Sequence, residues 1–446
     1  MWKDLNKETG RTIKIIKKGY VLKVLMLGWE FPPFFAGGAG IVCGALSEAL
    51  IKKGVDITFV MPSGPEDMYE NLDSKLSNSL AKFKILIANN KYKNVKINIV
   101  KISSLLQAYA TQEAYNQSYN KLASVSNGTF QGGPVYGKNL KQEVYRFAKQ
   151  VKLLAQEEDF DVIHAHDWVT FPAAVALKKL TGKPMVIHVH ITEFDKTGGV
   201  HADPEIYAIE KEGMDFADRV ITVSNKIKET IVNKYYTNPE KIRVVHNAAT
   251  PMNESIVYEA EAIKKTDKIV LFAGRLTLQK GPDYFVEAAK KVLEKIPHTT
   301  FVMAGSGDMM NKMIEKVASL GIAKKFIFTG FYNRDEAEKL FSMADVFVMP
   351  SVSEPFGVVP YEAQLKMTPT IISKQSGISE VLFHTLKVDF WDVDQIANKI
   401  LALLAYPSLH KTMTAHGYQE AKCAIWDEPA TKCLNIYQEV VAYGGH

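Results

Sequence analysis

Cysteine is nearly missing from this chain: only Cys43, Cys423 and Cys433 occur in 446 residues. The count is odd and no two stand at metal-ligand spacing, which excludes a disulfide framework and favours a reducing, cytoplasmic setting. Also missing is any run near the roughly 18 apolar residues that a membrane-spanning helix needs. Charge of one sign is not concentrated either. The formal net charge is only +5, with Lys and Arg interspersed among acids, which speaks against the clustered basic face that binds nucleic acid. The first twenty residues depart from this, with Lys3, Lys7, Arg11, Lys14, Lys17 and Lys18. No sustained apolar stretch or small-residue cleavage site follows them, so a secretory signal is not expected. Residues 1–20 read as a basic N-terminal extension in solution. Peripheral membrane contact is the other reading, and cations without an apolar face anchor weakly.

What is present is the composition of a globular protein, 47% hydrophobic and 23% charged, in a chain too long for one ordinary core. Short apolar runs alternate with helical patterns, the mark of a parallel sheet covered by helices. Val21 to Leu27, Val55 to Met61, Asp161 to Ala165, Met185 to Val189, Arg219 to Val223 and Ile242 to Val245 read as strands of a first domain, residues 21–250. A polar stretch, 251–267, reads as a hinge. A second series then begins with Ile269 to Phe272, Thr300 to Met303, Phe326 to Thr329, Val346 to Met349 and Thr370 to Ser373, giving a second domain over residues 251–427. Residues 64–142 interrupt the first domain. Their Asn-, Ser- and Gly-dense part, Ser118 to Gly137, is expected to be an acceptor-binding flap or disordered. Two doubly wound, Rossmann-like α/β halves would face each other across a cleft, where small-molecule sites favour domain interfaces.

The richest stretch is Glu354-Pro355-Phe356-Gly357-Val358-Val359-Pro360-Tyr361-Glu362. Two carboxylates flank a glycine at the end of an expected strand and the start of an expected helix, Phe356 to Leu365. An ionised carboxylate accepts two hydrogen bonds and so suits sugar and ribose hydroxyls. Arg275 and Lys280 follow the first strand of the second domain, and a guanidinium and an ammonium at a helix start suit a pyrophosphate. In the first domain Phe31 to Gly40 places Gly37 and Gly38 after a strand. This is a turn for close approach to phosphate or one for packing alone, and it is neither a dinucleotide fingerprint nor a P-loop. His164, His166 and Asp167 end one strand, and His188 and His190 end the next. H-x-H spacing puts both rings on one face of a strand, so metal binding and plain hydrogen bonding are both open. No wider Cys/His cluster exists, and no metal is expected.

Taken in order, Glu30-Phe31-Pro32-Pro33 with Gly37-Gly38, His166-Asp167-Trp168, Val189-His190, Val223-Ser224, Gly274-Arg275 with Lys280-Gly281, Glu354-Pro355-Phe356-Gly357, and Glu362 make the chain resemble the retaining nucleotide-sugar glycosyltransferases of the GT-B fold. That group includes glycogen, starch and sucrose synthases. The resemblance implies that Arg275, Lys280 and the Gly37-Gly38 backbone hold a donor diphosphate. It implies that Glu362 binds the ribose, that Glu354 and the backbone of Phe356, Gly357 and Val358 bind the sugar, and that His190 and Asp167 serve at the reacting sugar. It also implies that the last helix, residues 428–446, packs back on the first domain. Bacterial glycogen and starch synthases carry Lys-Thr-Gly-Gly-Leu where this chain has Phe35-Ala36-Gly37-Gly38-Ala39. The expected activity is retaining transfer of glucose or a related hexose from a nucleoside diphosphate to a carbohydrate acceptor, foremost an α-glucan, without a metal or other cofactor. A lipid-linked or cell-surface glycan acceptor, and a nucleotide-sugar-binding regulator without turnover, are the alternatives.

Overall fold

The computed structural model describes residues 20–31, 38–63, 80–89, 92–103, 116–117, 139–154, 158–199, 201–250 and 267–443. The basic extension up to residue 19, Gly37, the Ser118 to Gly137 segment and nearly all of the expected hinge lie outside the described residues. Among the described residues, fourteen strands form two sheets. The first sheet has β1 Lys23–Leu27, β2 Asp56–Ser63, β3 Leu80–Asn89, β4 Tyr92–Ser103, β5 Val162–His166, β6 Met185–Val189, β7 Arg219–Thr222 and β8 Ile242–Val244. The second has β9 Lys268–Ala273, β10 Thr299–Ala304, β11 Phe326–Gly330, β12 Val346–Met349, β13 Thr370–Ser373 and β14 Leu386–Val388.

Strand order is β3-β4-β2-β1-β5-β6-β7-β8 in the first sheet and β11-β10-β9-β12-β13-β14 in the second. Every pairing is parallel except β3 with β4. Each sheet therefore reverses its winding once, between β1 and β5 and between β9 and β12. Open α/β sheets leave a crevice at such points, outside the carboxyl ends of the strands. The loops that follow those four strands carry Glu30, Asp167, Lys280 and Glu354.

Apolar residues on both faces explain why these strands are central. In β1, Leu25 and Leu27 enter one core while Val24 and Met26 enter the other. Leu271 and Ala273 of β9 likewise separate from Val270 and Phe272. A strand buried on both sides reads as a continuous apolar run, which is how the sequence shows it. The helix Pro282–Leu293 opens on proline and buries Phe285, Val286, Ala288, Ala289 and Val292 on one stripe against the second sheet. The final helix, Asp427–Tyr443, packs on the first sheet although the preceding elements belong to the second. Ala430, Cys433, Ile436, Tyr437 and Val440 join the core of Leu22, Val24 and Met26. Glu439 pairs with Arg219 and, at 3.1 Å, with Arg243.

Three features differ from the sequence reading. The β3-β4 hairpin extends the first sheet within residues 64–142, and β14 adds an edge strand to the second. The helix expected from Phe356 begins at Val359, because Gly357 takes a φ of +89° and holds the chain in a turn. Among the described residues no helix is long and apolar enough to cross a membrane.

Candidate active site

Two loops of the second sheet are fastened together at its winding reversal. After β9 the chain passes Gly274 and Arg275 into the short 3-10 turn Leu278–Lys280. After β12 it runs through Ser351 to Val358. The Val352 N–H donates to the Gln279 carbonyl at 2.9 Å, and the Lys280 ammonium meets the Glu354 carboxylate. Ser351 Oγ lies 3.4 Å from the same carboxylate. Gly357 is required here for space as well as for its dihedral angle, since a Cβ would sit 2.8 Å from Glu354 Cγ. The Gly377 N–H donates to the Glu354 carbonyl and the Ile378 N–H to that of Phe356, each at 2.9 Å. Phe356 is buried and Val358 half-buried, while Arg275 is exposed at the start of the facing loop. Glu362 lies in the helix Val359–Leu365. Burial pushes its carboxyl up to about 7, with Glu338 adding to the shift and Arg334 opposing it.

In the first domain Asp167 follows β5 at a φ of +58°. Its N–H donates to the His188 carbonyl at 3.0 Å, and its Oδ1 accepts from the N–H groups of His190, at 2.8 Å, and Ile191, at 3.3 Å. Asp167 thus clamps the backbone that carries His190. Burial raises the Asp167 carboxyl, and His190 together with these backbone N–H groups opposes the rise. Glu30 accepts the Gly40 N–H at 3.2 Å in the first turn of the helix that opens at Gly38.

The histidines form an array in which His164, His166 and His188 are buried and His190 is half-buried. His166 Nδ1 and His190 Nε2 share a hydrogen bond of 2.8 Å, and His164 Nδ1 bonds the Tyr437 hydroxyl at 2.6 Å. Burial holds all four imidazoles below their ordinary range, His164 at about 3. Burial thus favours their neutral forms. Ligand atoms of His164, His166 and His188, and of Cys43, His166 and His190, come within 4.8 Å of one another.

The two domains meet at this site. Ser353 Oγ donates to Asp195 Oδ1 at 3.1 Å, and Lys226 Nζ reaches both, at 2.7 and 3.0 Å. Ser224 Oγ donates to the Pro355 carbonyl at 2.6 Å. Asp195 belongs to the segment that follows His190, so the His190 loop is tied to the residue before Glu354. Glu380 of the second domain accepts from the N–H groups of Asn225 and Lys226, both at 2.9 Å, and from His246 at 2.8 Å. Burial works to raise the Glu380 carboxyl, but these donors outweigh it and hold it at about 2.

Of the sequence-derived candidates, Lys280, Glu354, Phe356 and Gly357 come together directly, with Arg275 on the same loop as Lys280. His190 and Asp167 form the facing group, and Glu362 stands one helical turn beyond Val358. Lys226, Ser353, Asp195 and Glu380 escaped the sequence reading. They are paired over separations such as 127 and 154 residues, which no local pattern records.

Residues 23–243 match the family described as starch synthase catalytic domain, and residues 256–420 the family described as glycosyl transferases group 1. An uncharacterized glycosyltransferase of Methanocaldococcus jannaschii is 29% identical over 435 residues, covering 94% of this chain and 98% of that protein. The glycogen synthase of Mycobacterium tuberculosis is 24% identical over 370 residues, 81% of this chain and 80% of the other. Among solved structures, sucrose-phosphate synthase from Thermosynechococcus elongatus superposes with a TM-score of 0.70 at 18% identity, covering 94% of this chain and 99% of that one. With two doubly wound sheets, a winding reversal in each and family matches to each half, this chain belongs to the GT-B glycosyltransferases related to glycogen and starch synthases.

Proposed function

We propose that the protein transfers glucose or a related hexose from a nucleoside diphosphate sugar to a carbohydrate acceptor, foremost an α-glucan, with retention of configuration and without a metal. The observation that carries this reading is the tie from Asp195 to Ser353, which brings the His190 loop against the Lys280–Glu354 pair. One wall of the cleft then supplies cation and carboxylate, and the other an imidazole and a helix start. Lys280 and Arg275 hold the diphosphate and neutralise it as the sugar departs, the task that a divalent ion performs in other sites. The backbone at Gly37 and Gly38 adds N–H donors. Glu354 leaves Lys280 to accept sugar hydroxyls, the Phe356 to Val358 backbone fixes the ring, and Glu362 takes the ribose.

His190 stands at the reacting sugar, held there by Asp167 and by its bond to His166. A neutral imidazole suits a site where positive charge develops on the sugar carbon, because an imidazolium would repel it. The α-glucan acceptor is supported by the glycogen synthase relative and by the starch synthase family match. The test is a screen of UDP-glucose, ADP-glucose and GDP-mannose against oligoglucan acceptors, reading released nucleoside diphosphate and the anomeric proton of the product. Release that depends on acceptor, persists in chelator and yields retained product is expected. An inverted product or a requirement for Mg²⁺ would overturn the mechanism, and full turnover in Glu354→Ala would overturn that residue's role.

A further inference from the structure

Cys43 takes no part in the chemistry above, yet it lies beneath it. It occupies the helix Gly38–Lys52 and is buried, and its thiol sits with His166 and His190 so that one ligand atom from each falls within 4.8 Å of the others. Tetrahedral zinc bound by sulfur and nitrogen at about 2.0–2.3 Å needs its ligands ~3.5 Å apart, so side-chain adjustments of at most about 1 Å bring the three to that spacing. His166 also keeps its Nε2 buried without a hydrogen-bond partner, and a change of tautomer there gives no new loss. His190 is only half-buried, which leaves a path in from the cleft.

We infer that Cys43, His166 and His190 form a binding site for a soft divalent cation such as Zn²⁺, which occupies the cleft histidine and stops transfer. One thiolate and two imidazoles are the donor set that soft and borderline ions select over Mg²⁺. The fourth position stays open toward the cleft. Binding expels one proton, from the Cys43 thiol. Both imidazoles stay neutral, and the proton now shared by His166 and His190 moves to a nitrogen that does not face the ion. The thiolate leaves one positive charge on the ion, and the Asp167 carboxylate, which accepts the backbone N–H of His190, is the nearby anion that offsets it.

The inhibitory consequence rests on the proposed transfer reaction, while the site itself does not. Chelator-treated protein titrated with Co²⁺ is expected to develop a near-ultraviolet thiolate-to-cobalt absorption that saturates at one equivalent. Cys43→Ala should abolish it, and Cys423→Ser, which alters the exposed cysteine, should keep it. In the transfer assay Cys43→Ala should retain its uninhibited rate and require more than about tenfold higher Zn²⁺ for half-inhibition, with Cys43→Ser as a second variant should the first fold poorly. No absorption in the folded protein, or absorption and inhibition that survive Cys43→Ala, would overturn the site. Transfer without the cobalt band removes the site and leaves the transfer reading standing. The band in a protein inactive with every donor does the reverse.

Discussion

At the scale of single residues, two groups carry measurable consequences. Lys280 pairs with Glu354 and, in the proposed reaction, is the cation that meets the departing diphosphate. Its ammonium offers charge at the point where charge develops, so Lys280→Ala should lower kcat by about 10²–10³-fold with an unchanged circular dichroism spectrum. Glu362 is the second. Its carboxyl is pushed up to about 7 by burial, and in its proposed role at the ribose it would bind hydroxyls best when ionised and acting only as acceptor. The KM for donor should therefore fall as pH rises through about 7, and Glu362→Gln should flatten that profile. The sign for folding is the opposite. The group titrates near 4.5 when unperturbed and near 7 in the fold, so the native state holds an extra proton between those values and loses stability as pH rises across them. Both carboxylates were legible from their residue types and spacing. The direction in which Glu362 titrates was not, because burial and the charges of Arg334 and Glu338 come from packing.

At the scale of elements, the turn between β12 and its helix shows how sequence and packing divide the work. The apolar run Val346 to Met349 reads as a buried strand by pattern alone, and the strand has those limits. The helix that follows could not be bounded the same way, since the residues from Phe356 onward satisfy helical periodicity. Glycine at a φ of +89° and the contact between positions 357 and 354 delay its start. Gly357→Ala should cost about 1–2 kcal/mol from the left-handed backbone alone, measured by denaturant titration. The added Cβ would also press on Glu354 Cγ at 2.8 Å, so kcat should fall with stability. The β3-β4 hairpin was illegible for a related reason. An antiparallel edge pair inside a long insertion carries none of the βαβ rhythm that marks the other strands.

At the scale of the whole molecule, the domains share an apolar core and a set of polar contacts that includes those of Glu380. Its carboxylate receives two backbone N–H groups at the start of the helix Asn225–Tyr235 and the ring of His246. With a carboxyl at about 2 in the fold against 4.5 unperturbed, it contributes stability that is fully present above about 4.5 and is lost as pH falls toward 2. Glu380→Gln should therefore lower the unfolding midpoint near neutral pH, and the difference from the parent should shrink across that acid window. The same variant should raise the donor KM, because the clasp holds Ser224 and Lys226 against Pro355 and Ser353. Sequence by itself determined the α/β class and most strands of the two sheets and offered candidate residues for a site, because apolar periodicity and side-chain chemistry are local properties of the chain. Only the tertiary structure decided which residues fasten the domains, where Asp167 directs its carboxylate and that Cys43 lies under His190. Those facts depend on contacts between distant segments, and burial, charge and distance come into being when the segments meet.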